Sequence, residues 1–275
     1  MRRHWLVGAI LPLAVCFGAQ AQGDPARSRT VLRPSAAAVE VRKSSYTATD
    51  GTVLPFDVYY DGTRAGRRAT LVLLSGNDDP RAWGAYADLG RLAAQRGFAA
   101  VVTAKRFPRT NAGIESGYGD VQSLLEQLQE RVDVADRERT CLWGFSAGGR
   151  LLSLAFAPQA PALRCAIGFY PVFTAFADAP SDWTRRFIPV DAVLASGTAS
   201  SPPMLIVRAG KDTAEINQGI GSFASNALRR NVPITVVNLP EARHAFDWHD
   251  DTAWSRQAIE DTFEFAKRAT AQAAD

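Results

Sequence analysis

Apolar runs at residues 69–74, 98–103, 141–145, 165–170, 204–207 and 234–237 most narrow the folds open to this chain. Each is apolar nearly throughout rather than alternating, so each reads as a strand covered on both faces. Helical patterns lie between them. Tyr86, Leu89, Leu92 and Ala93 recur at helical spacing within residues 83–95, and Gly97 stands where that helix should end. Val121, Leu124, Leu125 and Leu128 form a second apolar stripe. Residues 150–156 and 216–230 supply further helices, and a closing helix capped by Asp251 runs to residue 269. Strands joined through helices run parallel by right-handed crossovers. The expected class is α/β, a mostly parallel twisted sheet with helices on both faces. Residues 39–48 and 53–60 flank Asp50-Gly51, a hairpin signal that adds an antiparallel pair at one edge. No break in the alternation suggests a second domain, so one domain is expected over residues 39–275.

The start of the chain reads differently. Met1-Arg2-Arg3-His4 is basic, residues 5–15 are apolar, and Ala19-Gln20-Ala21 offers a small-x-small cleavage pattern. Residues 1–21 are therefore expected to be an export signal, too short in its apolar part for a permanent membrane anchor. Twin-arginine export through Arg2-Arg3 and lipoprotein processing at Cys16 are poorer matches. Residues 22–38, rich in Ala, Arg, Ser and Pro without periodicity, read as a flexible lead-in. The formal charge of +3 falls to +1 once Arg2 and Arg3 leave with the leader. No basic tract remains to bind nucleic acid or anionic lipid, which leaves a small molecule as the expected partner. The expected location is periplasmic or outside the cell. Beyond the leader stand Cys141 and Cys165, each early in a strand-like run. Buried thiols are expected of them, because paired positions along a parallel ladder seldom suit a disulfide; oxidation requires the two strands to be neighbours.

Gly144-Phe145-Ser146-Ala147-Gly148-Gly149 joins the run 141–145 to the helical pattern 150–156. A serine on a sharp strand-to-helix turn has its hydroxyl pushed above the sheet edge, at the positive end of the helix. The plainer reading is a glycine-rich turn that happens to carry a serine. A serine nucleophile needs a base. Past the leader the histidines are His244 and His249. His244 follows the last strand by a short loop, at the sheet end where the serine turn must also lie. His249 is the lesser candidate, since Asp250 and Asp251 after it look like a helix start.

The imidazole in turn needs a carboxylate. Asp212 is the first acid after the run 204–207, with a helix cap as its alternative role. Asp178, Asp182 and Asp191 are substitutes, and Asp247 is too near His244 in sequence. For the oxyanion, the expected donors are the N–H of Ala147 and that of Asn77, with Gly76 permitting close approach. Trp83, Phe173 and Trp183 are candidate walls of a substrate pocket, in competition with an ordinary core role. No metal or organic cofactor is expected, since His244, Asp247 and His249 lack a ligand register.

Together these residues resemble the α/β-hydrolase superfamily, in particular its dienelactone hydrolase-like and carboxylesterase branch. The resemblance runs from Tyr46 to Phe265. Phe56-Asp57-Val58-Tyr59-Tyr60 resembles the opening strand of such esterases, and Gly144 to Gly149 their nucleophile turn. Tyr170-Pro171-Val172 resembles the strand end that follows, Arg208 to Asp212 the acid turn, and His244-Ala245-Phe246-Asp247 the histidine loop. The resemblance implies a serine esterase with Ser146 as nucleophile, His244 as base and Asp212 as orienter, working through an acyl-enzyme on a small or exposed ester or lactone. Two departures stand out. Dienelactone hydrolases proper carry cysteine where this chain has Ser146, and many relatives place His-Gly-Gly where it has Ser75-Gly76-Asn77. A peptidase similar to prolyl oligopeptidases and a non-catalytic binding protein on the same fold are the competing expectations.

Overall fold

The computed structural model describes residues 28–107, 109–157, 163–196 and 201–271. The leader and the first part of the lead-in fall outside them. One 8-stranded sheet organises the rest. Its strands are β1 (Glu40–Thr47), β2 (Val53–Tyr60), β3 (Arg68–Leu74), β4 (Ala99–Thr103), β5 (Ala135–Phe145), β6 (Leu163–Phe169), β7 (Met204–Ala209) and β8 (Ile234–Leu239). They lie in the order β1-β2-β4-β3-β5-β6-β7-β8. β2 pairs antiparallel with both β1 and β4, while every other pairing is parallel. The hairpin between β1 and β2 turns at Asp50-Gly51 as its sequence predicts. Gly51 sits at φ 86°, a left-handed conformation that favours glycine.

The helices are α1 (Gly84–Gln95), α2 (Asn111–Arg131), α3 (Ser181–Phe187), α4 (Pro189–Ala195), α5 (Ala214–Arg229), α6 (Phe246–His249) and α7 (Ala253–Ala271). A 3₁₀ helix, Ser146–Phe156, follows β5. β3 shows why its run does not alternate: all of it is buried, and its side chains divide by parity between two cores. Val72 and Leu74 pack with Val121, Leu124 and Leu151 on one face. Leu71 and Leu73 pack with Leu89, Ile259 and Phe263 on the other. A fully buried aliphatic side chain contributes about 1.5–3 kcal/mol, so the two clusters dominate the stability of the fold.

Several expectations shift. β5 starts at Ala135 rather than Cys141, its first half being a polar stretch with no apolar signal. The closing helix is capped by Thr252, whose Oγ1 accepts the Ser255 N–H at 3.2 Å, while Asp251 pairs with Arg256. The described part of the lead-in is docked, not loose. Arg29 grips both carboxylate oxygens of Asp88 at 2.6 and 2.9 Å, and Thr30 and Val31 are buried. The expectation for the cysteines is also overturned: Cys141 and Cys165 form a disulfide, with Cα atoms 4.6 Å apart. The register slips just before this pair, between Thr140 and Cys141, so the two cysteines become direct neighbours on β5 and β6. Such an irregularity frees the local geometry from an ideal ladder. No helix among the described residues is long and apolar enough to cross a membrane.

Candidate active site

β5 delivers Ser146 to the carboxyl end of the sheet. The chain then reverses so sharply that Ser146 takes φ 51°, a strained conformation for a non-glycine residue. Close packing fixes this turn. A Cβ on Gly148 would overlap the carbonyl oxygen of Leu74 at the end of β3, and one on Gly149 would overlap Pro171 beyond β6. The turn is thus wedged between the ends of the two strands that flank β5. The Val172 N–H also donates to the Ser146 carbonyl at 2.8 Å.

Two further loops converge on the serine. β7 ends in Gly210-Lys211-Asp212, and β8 leads through Pro240 to His244. These loops are laced together: the Gly210 N–H donates to Leu239 O and the Lys211 N–H to Ala242 O, each at 2.8 Å. The Asp212 carboxylate is 2% exposed. One oxygen accepts the Thr213 N–H at 2.8 Å and the other lies 2.6 Å from His244 Nδ1. His244 Nε2 lies 2.8 Å from Ser146 Oγ. A carboxylate only accepts, so Nδ1 carries the hydrogen and Nε2 is left to accept from the serine hydroxyl. The capping role considered for Asp212 belongs instead to Thr213, whose side chain accepts the Ile216 N–H. Asp178 and Asp182 are exposed, Asp191 lies in the first turn of α4, and none of the three bonds His244. His249 ends α6 at the surface, its pKa lowered by partial desolvation and by the Arg243 charge.

Sequence reasoning missed what lies behind the imidazole. The ring of Tyr170 packs against His244 with centroids 4.6 Å apart, and its hydroxyl donates to Asp247 Oδ1 at 2.7 Å. Asp247 is wholly buried, and burial pushes its carboxyl up to about 6. Its Oδ2 has no hydrogen-bond partner among the described residues. Burial and the Asp247 charge together push the Tyr170 phenol up. The available signal was a tyrosine closing an apolar strand at the same rim as the serine.

On the other flank, the loop after β3 reaches the turn that carries Ser146. A Cβ on Gly76 would stand 3.2 Å from Ala147 Cβ and 3.3 Å from its backbone nitrogen. Ala147 belongs to the first helical turn, where amide hydrogens find no intrahelical acceptor. Asn77 differs from expectation: its N–H turns back to Ser75 Oγ at 3.2 Å, engaged within its own loop. The three candidate wall residues do not meet. Trp83 packs on Trp248, Phe173 on Phe223 within the core, and Trp183 on Phe187 with its Nε1 donating to Glu115 at 3.3 Å. A cleft of about 340 Å³ opens between the insert after β6 and α5, lined by Phe173, Thr174, Ile188, Val190 and Glu215. Ser146, Asp212 and His244 are not among its walls. Among the described residues, no group of three His, Cys, Asp or Glu side chains is arranged to hold a metal ion.

Residues 88–273 match the sequence profile of the dienelactone hydrolase family, well over half of the 275 residues. The chain belongs to the dienelactone hydrolase family. Membership makes it a hydrolase of esters or lactones, with a small molecule as substrate. Among curated proteins, none matches the chain at a significant level. Solved structures share its fold at low identity. A proposed dienelactone hydrolase of Klebsiella pneumoniae is 18% identical with a TM-score of 0.67, over 86% of this chain and 100% of that one. A thermostable esterase of Pseudomonas putida is 18% identical with a TM-score of 0.63, over 86% of this chain and 84% of that one. A post-proline cleaving enzyme of Rickettsia typhi is 15% identical with a TM-score of 0.67, over 84% of this chain but 38% of that one.

Proposed function

We propose that this dienelactone hydrolase family member is a serine esterase that cleaves a small or exposed carboxylic ester or lactone through an acyl-enzyme. The observation that carries this reading is the unbroken relay from Ser146 Oγ through both ring nitrogens of His244 to Asp212. Ser146 Oγ attacks the carbonyl carbon while its proton passes to His244 Nε2, and Asp212 stabilises the imidazolium. The tetrahedral oxyanion is received by the Ala147 N–H, with the abutting Gly76 turn supplying the second donor. Collapse breaks the C–O bond of the ester, and Nε2 protonates the departing alkoxide. Water then attacks the acyl-serine, losing its proton to Nε2, and the acid leaves as Ser146 recovers its hydrogen. The tilt toward small or exposed substrates rests on the short insert after β6, where Trp183 packs on Phe187 and Phe173 packs on Phe223 of α5.

We also propose that the protein is exported. The Cys141–Cys165 disulfide supports this, since such bonds persist in oxidising compartments. Turnover of a short aryl ester by the purified protein tests the principal reading. Ser146→Ala should lower it by on the order of 10⁴-fold or more, with the melting temperature little changed. Turnover that persists in that variant would falsify the nucleophile assignment.

A further inference from the structure

Lys105 is a charge where the fold has no water to offer. It follows β4, is 1% exposed, and extends under the loop that faces Ala147. Its Nζ donates to Asn77 O at 2.7 Å and to Ser75 Oγ at 3.3 Å. Ser75 is itself fully buried, and its hydroxyl donates to Asn77 O at 2.8 Å. The backbone joins in: the Lys105 N–H donates to Asp78 O at 2.8 Å, and the Phe107 N–H to Asp78 Oδ1 at 2.7 Å. The Asn77 carbonyl, the Ser75 hydroxyl and the Asp78 carbonyl are thus all bonded directly to Lys105. An aliphatic residue would fill the same space more cheaply, because burying an ammonium group costs several kcal/mol by general estimate.

We propose that Lys105 is a positioning residue of the ester-cleaving site, its buried ammonium group holding the Ser75–Gly76–Asn77 turn against Ala147 and so fixing where the developing oxyanion is received. This inference rests on the esterase reading above. Lys105 touches neither substrate nor the reacting atoms; it acts through the loop. The charges around it suit that task. Asp78 and Asp79 approach from the loop after β3 and Asp120 from α2, the last also held by the Arg106 guanidinium at 2.6 Å. Tyr46 of β1 bonds the neighbouring Ala104 carbonyl at 2.8 Å, and the Phe107 ring lies 5.2 Å from Nζ. Burial outweighs the acids and pulls the Lys105 ammonium down to about 7, so the clamp loses its charge as pH rises past neutrality.

The test is Lys105→Met, which keeps the volume and removes the charge. At pH 6, where wild-type Lys105 is protonated, kcat should fall on the order of 10- to 100-fold, less than for loss of an oxyanion donor outright, with KM nearly unchanged. Amide exchange should quicken at Gly76 and Asn77 but not across the sheet. Wild-type kcat should fall as pH rises through 7, and that fall should be missing from the variant. Should Lys105→Met not fold, Lys105→Gln is read in the same way. A variant kcat equal to wild type at pH 6 overturns the proposal, as does exchange that quickens uniformly. If the wild type cleaves no ester at all, the esterase reading fails, and exchange at Gly76 and Asn77 alone decides whether Lys105 holds the turn.

Discussion

Asp247 shows how much one side chain can change the protein without entering the proton relay. Its carboxyl titrates near 6, raised by burial, whereas an unfolded aspartate titrates near 4. Between those values the folded chain holds a proton that the unfolded chain has released, so stability falls as pH rises through the window. Above it the full penalty, about 3 kcal/mol for a shift of roughly two units, is present. Asp247→Asn keeps an acceptor for the Tyr170 hydroxyl and cannot ionise. Thermal melts should therefore place the variant above wild type at pH 7.5, with the gap closing by pH 4. A gap that does not narrow across that range means the carboxyl ionises freely in the fold. Gly148 makes a different point at this scale. Its lack of a Cβ lets the turn after Ser146 press onto the Leu74 carbonyl.

Among the elements, the loops beyond β5, β7 and β8 matter most, and they were the legible part of the site. Each follows an apolar run whose direction is fixed by parallel crossovers, so a serine, an aspartate and a histidine just past those runs fall at one rim. The tie between Lys105 and Asn77 was not legible, because nothing in sequence says which side chain passes beneath which loop. Tyr170 could be placed at the rim from its strand, but its packing against His244 was hidden for the same reason. The disulfide escaped because register within a ladder depends on one irregularity at Thr140, and ideal pairing argues against it. In the described part of the lead-in, two arginines and a threonine meet Asp88, a contact its loose-segment composition does not announce.

The disulfide makes its own prediction. It closes a segment with a sequence separation of 24, for which the chain-entropy estimate is roughly 3 kcal/mol. Urea unfolding of protein refolded with and without reductant should differ by about that amount, with ester turnover retained at 25 °C. Coincident midpoints would mean that the bond contributes nothing to folding.

Across the whole molecule, two apolar layers hold a sheet that ends in a rim of tightly braced loops. The bracing is uneven in kind: backbone hydrogen bonds lace the acid and histidine loops, van der Waals contact wedges the serine turn, and a buried charge ties down the loop opposite. Strain at Ser146 persists because all three surround it. In the proposed chemistry, one serine oxygen is made nucleophilic by its neighbours. The most direct test is intact-mass and peptide mapping of the protein after exposure to a fluorophosphonate. The account predicts one adduct per chain, on Ser146, and its loss in His244→Ala. Ester turnover by protein that acquires no adduct, or acquires it at another residue, would contradict it.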